Sequence, residues 1–124
     1  MEQKINLEKN KKENAVEKIA VLGAGSWGTA LAKTLSDNDN SVIIWGRDSE
    51  QIEFMKKNKV NSKYLAGVML PESLSYTDNL DKAVKDAKVI ILAASSQANR
   101  KILDTIKDKV KKDTIIVNIS KGLE

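Results

Sequence analysis

Hydrophobic and polar positions change their rhythm sharply along this chain. Residues 1–17 are rich in Lys, Glu and Asn, and Ile5, Leu7 and Val16 are too scattered to bury a helix face. This stretch reads as a flexible polar tail. From Lys18 onward, short apolar runs alternate with segments of helical period. Ile19-Ala20-Val21-Leu22 is a continuous apolar run ending at Gly23, as expected of a strand buried on both faces of a parallel sheet. Ser26 to Ser36 reads as a helix with Trp27, Ala30, Leu31 and Leu35 on one face. Asp37-Asn38-Asp39-Asn40 is a turn. Val42-Ile43-Ile44-Trp45 is a second strand, and Asp48 or Ser49 can cap a second helix running to about Asn58.

Residues 59–78 carry no period and hold Gly67 and the only proline, Pro71. So long a stretch points to a functional loop or to short elements the pattern does not resolve. Thr77 or Asp78 is placed to cap a helix through Ala87, with Leu80, Ala83, Val84 and Ala87 inward. Val89 to Ala93 is a third buried strand. A helix from about Gln97 to Val110 follows, with Ile102, Leu103, Ile106 and Val110 at helical spacing, and then a fourth strand over Thr114–Ile119. Alternation of this kind predicts an α/β fold, with a parallel sheet and right-handed crossovers, in one domain over 18–124.

Composition narrows the chemistry. The chain has 124 residues, 41% hydrophobic, enough for one modest core. Lys+Arg is 21 against Asp+Glu 17, a net +4. The tail balances its own charges, so the surplus lies in 18–124. That is a weak pull toward anions, and without an Arg-rich stripe interleaved with aromatics it does not indicate nucleic acid. Cysteine and histidine are absent. Disulfides, thiolate nucleophiles and His-dependent triads are excluded, and a metal site is not expected. Any general acid or base is Lys, Asp, Glu or Tyr, or lies outside the chain. No apolar run approaches the roughly 18 residues of a membrane helix, and the N-terminus lacks the apolar core of a secretory signal. The cytoplasm is therefore the expected location.

Gly23-Ala24-Gly25-Ser26-Trp27-Gly28 fits G-x-G-x-x-G and stands where its mechanism requires, after the first buried strand and opening the first helix. Gly23 permits the tight turn, Gly25 lets a pyrophosphate approach the backbone, and Gly28 lets helix and strand pack closely. The helix N-terminus supplies N–H donors and a positive dipole end. At the end of the second strand, the slot that usually holds an acid for a ribose 2′-hydroxyl is occupied by Gly46, with Arg47 next. Arginine there can pair with a 2′-phosphate or stack on adenine, which favours NADP, while Asp48 leaves NAD open.

Four separated segments carry a resemblance to the N-terminal domain of bacterial NAD(P)-dependent glycerol-3-phosphate dehydrogenases. They are the glycine loop with its continuation through Ala32, Trp45-Gly46-Arg47-Asp48, Asn61 through Pro71, and Ser120-Lys121-Gly122-Leu123-Glu124. The resemblance implies a Rossmann-type doubly wound sheet, and interconversion of sn-glycerol 3-phosphate and dihydroxyacetone phosphate that feeds glycerophospholipid synthesis. It implies that Ser26 and Trp27 meet the dinucleotide at the loop, Arg47 its adenosine end, and Tyr64 the cofactor. Lys121 would reach both cofactor and substrate. It further implies an all-helical C-terminal domain holding the principal catalytic lysine, and a homodimer for the full-length enzyme. On that expectation the 124 residues are a fragment that binds dinucleotide without turnover. Relatives usually carry proline where Ser95 and Ala66 stand, which bears on the wall of the nicotinamide pocket. Competing expectations are another reductase with the same opening, of the ketopantoate reductase or hydroxyacid dehydrogenase type, and a non-catalytic nucleotide-sensing module.

Overall fold

The computed structural model describes residues 17–61 and 67–119. The tail, Tyr64, Ala66 and Lys121 lie outside the described residues, apart from Glu17 at the tail's end. Five strands, β1 (Lys18–Leu22), β2 (Ser41–Trp45), β3 (Ser75–Thr77), β4 (Ala87–Leu92) and β5 (Ile115–Asn118), form one sheet in the order β3-β2-β1-β4-β5. Every pairing is parallel. The helices are α1 (Ser26–Asp37), α2 (Ser49–Asn58), α3 (Leu80–Val84) and α4 (Ser96–Ile106).

Alternation along the strands sorts the core into two layers. Val21, Val42, Ile44, Tyr76 and Ile91 pack with Ala32 of α1 and with Ile52 and Met55 of α2. Ala20, Leu22, Ile43, Ile90 and Leu92 pack with Ala83 and Val84 of α3 and with Ile102 and Ile106 of α4. Both faces of the central strands are therefore covered, and the runs that form them are continuously apolar for that reason. Each fully buried side chain such as Leu22, Ile44, Ile90 or Ile106 contributes about 1.5–3 kcal/mol.

Several expectations are corrected. β3 was not foreseen; it is only three residues long, and its Ser75 is exposed while Tyr76 and Thr77 are buried. Asn79, rather than Thr77 or Asp78, caps α3, its side chain accepting from the Lys82 N–H at 3.0 Å. That helix ends at Val84, and Ala87 opens β4. Trp27 does not join the buried face of α1: it is 65% exposed, and that face is formed by Gly28, Thr29, Ala32 and Ser36, with Leu31 and Leu35 partly buried. α4 stops at Ile106, and β5 is exposed along its whole length, with Ile115 at 60%. The Asp48 cap of α2 is as expected, its carboxylate accepting from Glu50 and Gln51 N–H at 3.1 and 3.2 Å.

Candidate functional site

The chain leaves β1 to build β2 and β3 on one side, then returns to build β4 and β5 on the other. The reversal makes the segments after β1 and β4 diverge at the carboxyl ends of the strands, where open α/β sheets bind ligands. A groove of about 910 Å³ runs there. Gly23, Gly25, Ser26 and Trp27 line it on the β1 side, Arg47 and Asp48 at the end of β2, and Ser95 and Lys101 on the β4 side. Five of the residues singled out from the sequence for cofactor binding thus stand together along one groove. Gly28 sits in the first turn behind them, and Tyr64 and Lys121 lie outside the described residues.

The three glycines differ in what requires them. Gly23 has φ +138°, and a Cβ there would meet the backbone of Ala93 at 2.8 Å. A Cβ on Gly28 would lie 1.9 Å from the Gly23 carbonyl oxygen. Packing alone accounts for both. A Cβ on Gly25 would meet nothing within 4 Å. Its want of a side chain is therefore unexplained by the protein's own packing. Gly25 is also the N-cap of α1, where it offers no side-chain cap, and the first turn contains no acidic residue. An open, uncapped helix N-terminus on a groove fits a dinucleotide diphosphate.

At the end of β2, a Cβ on Gly46 would stand 3.0 Å from Ala24 Cβ and 3.0 Å from Ile52 Cδ1. A side chain there would be tight, and the Ile52 side chain would have to shift to admit it. The neighbouring acid, Asp48, is engaged in capping α2. Arg47 is exposed and lines the groove. Trp45 is held by its indole N–H, which donates to the Asp78 carbonyl at 3.1 Å.

Three amides that the sequence patterns did not single out, two of them buried and Gln51 half-buried, brace both walls. Asn61 is fully buried; its Nδ2 donates to the Ala24 carbonyl at 3.0 Å and to Thr29 Oγ1 at 2.9 Å. Gln51 Nε2 donates to the same Ala24 carbonyl at 3.0 Å and to Asn61 Oδ1 at 3.2 Å. On the other wall, the Asn99 carbonyl oxygen accepts from Ala94 N–H at 3.1 Å, and its amide donates to Leu92 O at 3.4 Å and Asn118 Oδ1 at 3.3 Å. Ser95 caps α4, its hydroxyl accepting from Ala98 N–H at 3.2 Å. Asn61 lies within a motif segment, but a buried amide leaves no periodic trace that would assign it a partner.

The family model described as NAD-dependent glycerol-3-phosphate dehydrogenase N-terminus matches residues 18–124. The chain belongs to this family. Among its relatives, the glycerol-3-phosphate dehydrogenase [NAD(P)+] of Carboxydothermus hydrogenoformans is 44% identical over 107 residues, covering 86% of this chain and 32% of that protein. The enzyme of the same name from Fusobacterium nucleatum is 42% identical over the same length. The crystal structure of glycerol-3-phosphate dehydrogenase from Coxiella burnetii superposes with a TM-score of 0.82 at 32% identity, covering 88% of this chain and 34% of that one. The chain thus spans about a third of the length of the glycerol-3-phosphate dehydrogenases it matches. The match confirms the Rossmann-type sheet and the family expected from the motifs. Among the described residues no helix is long and apolar enough to cross a membrane.

Proposed function

We propose that this chain is the NAD(P)-binding part of a dehydrogenase that interconverts sn-glycerol 3-phosphate and dihydroxyacetone phosphate. The observation that carries this reading is Gly25, the one glycine of the loop that packing does not require, at an uncapped helix N-terminus on the groove. Family membership supplies the reaction class. Bound along the groove, the dinucleotide would supply hydride transfer to or from its nicotinamide. The chain's own residues bind and orient. N–H groups at the start of α1 hold the diphosphate, Ser26 and Trp27 border it, and Arg47 meets the adenosine end. Tyr64 and Lys121, whose roles rest on the motif match, complete the set, with Lys121 at the oxygen of the phosphorylated ketone.

Gly46 in the usual acidic slot, with the exposed Arg47 beside it on the groove, favours NADP(H), while the Asp48 carboxylate, which caps α2 through Oδ1, keeps NAD(H) open. For the 124 residues alone we expect binding without turnover. Titration with NADPH and NADH, read by the fluorescence of Trp27 and Trp45, which both line the groove, tests the binding. Oxidation of NADPH with dihydroxyacetone phosphate by this chain would overturn the expectation of no turnover, and absence of any dinucleotide binding would overturn the reading itself.

A further inference from the structure

We infer that Gln51 and Asn61 are positioning residues for diphosphate recognition: together they fix the Ala24 carbonyl and so aim the Gly25 N–H at the groove. The inference rests on the dinucleotide reading above. A trans peptide is planar, with its C=O and N–H pointing in opposite directions, and the described chain has no cis peptide bond. The Ala24 oxygen receives two amide donors, Gln51 Nε2 and Asn61 Nδ2, both at 3.0 Å. With the oxygen drawn toward α2 and Asn61, the Gly25 N–H of the same peptide unit points the opposite way, and Gly25 itself lines the groove.

The two amides are themselves locked. Gln51 Nε2 also donates to Asn61 Oδ1, which fixes which end of each amide faces which, and Asn61 Nδ2 reaches Thr29 Oγ1 in the first turn of α1. Asn61 therefore ties the loop to the helix it opens. Without these donors the Ala24–Gly25 peptide is free to rotate and to present its carbonyl oxygen, an acceptor, toward an anion. Each amide side chain donates through its nitrogen and accepts through its oxygen, and only the donating end serves the Ala24 oxygen. Carboxylates at either position would set oxygen against oxygen.

The test uses the full 124-residue chain with two probes, NADPH, which carries the diphosphate, and adenosine 2′-phosphate, which does not. Gln51→Ala removes one donor at a half-buried position and is expected to fold. It should weaken NADPH about tenfold while changing adenosine 2′-phosphate by less than about twofold. Gln51→Glu should be weaker still near pH 7. It should recover toward the wild-type affinity, measured at the same pH, as pH falls toward about 5 and the carboxyl regains a proton to donate. Arg47 and Asp48, the charged groups that line the groove beside residue 51, are common to both proteins and cancel in that ratio. Asn61→Asp is a second variant, expected to lose NADPH binding; should it fail to fold, the Gln51 pair decides.

Wild-type binding with Gln51→Ala unchanged, or with equal losses for both probes, overturns the positioning role and leaves the dinucleotide reading standing. A wild-type chain that binds neither probe removes that reading and this inference with it.

Discussion

The carbonyl oxygen of Gly23 occupies the place a side chain on Gly28 would need: a Cβ at 28 would lie 1.9 Å from it. The contact binds strand, loop and helix into one unit, and it separates two kinds of glycine. Gly28→Ala forces α1 off β1 and should cost about 3 kcal/mol or more, in the range of severe overpacking. Gly25→Ala has room and a φ of −82°, so it should change stability by less than about 1 kcal/mol. The same variant should weaken NADPH binding at least about tenfold. Chemical denaturation and fluorescence titration of the two variants separate these effects.

Arg47→Ala should discriminate between the two dinucleotides. If the guanidinium meets a 2′-phosphate, the variant loses about 1.5–3 kcal/mol of NADPH affinity, as for a charge-assisted contact, and little NADH affinity. Equal affinity of the wild type for both, with no loss in the variant, would remove the 2′-phosphate assignment.

Tyr76 is buried, and among the described residues its hydroxyl has no hydrogen-bond partner. Burial, with Glu72 nearby, pushes its pKa up to about 12. The unfolded phenol titrates near 10. The folded state thus disfavours the phenolate, and stability should fall as pH climbs from about 10 to about 12, by roughly 2–3 kcal/mol in all. Tyr76→Phe should lack that decline and should gain about 1 kcal/mol at neutral pH, because it removes an unsatisfied buried donor. Denaturant midpoints across the pH range provide the check. A Phe variant less stable than wild type at neutral pH would mean that the hydroxyl is satisfied.

At Ser95, where the resemblance leads one to expect proline, the backbone has a proline-compatible φ of −63° while the hydroxyl caps α4. Ser95→Ala should cost about 1 kcal/mol through the lost cap. Ser95→Pro loses the same cap but restricts the unfolded chain, so it should be the milder of the two by about 0.4–1 kcal/mol. Thermal midpoints of the two variants rank them, and a proline variant less stable than the alanine one would contradict this account.

Among the described residues β5 is an edge strand paired only with β4, and Ile115, Ile116 and Val117 are all substantially exposed. An apolar edge with unpaired backbone groups invites pairing with another copy. Light scattering of this chain should show concentration-dependent association, and Ile116→Lys should reduce it. A clean monomer at high concentration would refute the expectation.

The parts of this fold that were legible in the sequence are those with long runs of a single rule. β1, β2 and β4 are apolar runs because a strand covered on both faces has no polar alternation, β5 carries a similar run although it is exposed, and the glycine loop stands at its required place between β1 and α1. What escaped was short or non-periodic. β3 has three residues, fewer than any pattern needs. The start of α3 was misplaced because Thr77, Asp78 and Asn79 are all competent caps, and only the structure shows that Thr77 belongs to β3. Trp27 was counted with the helix interior because its spacing fits; its exposure follows from its place at the mouth of the groove. Gln51 and Asn61 leave no local signature, because the Ala24 carbonyl they bond lies 27 and 37 residues away, and Asn99 bonds backbone five and seven residues back in a pattern no helical period marks.

The amide clasp on the glycine loop also orders events in time. Ala24 and Asn61 are separated by 37 residues, and Ala24 and Gln51 by 27. Closing such a span is slower than forming the adjoining strand-turn-helix. A growing chain can lay β1 against α1 early, but the Ala24 peptide stays unanchored until α2 has docked and residue 61 has arrived. On that account a loop that begins at residue 23 is completed only once α2 has docked, before β3 has joined the sheet, and the completing step is the arrival of a single asparagine.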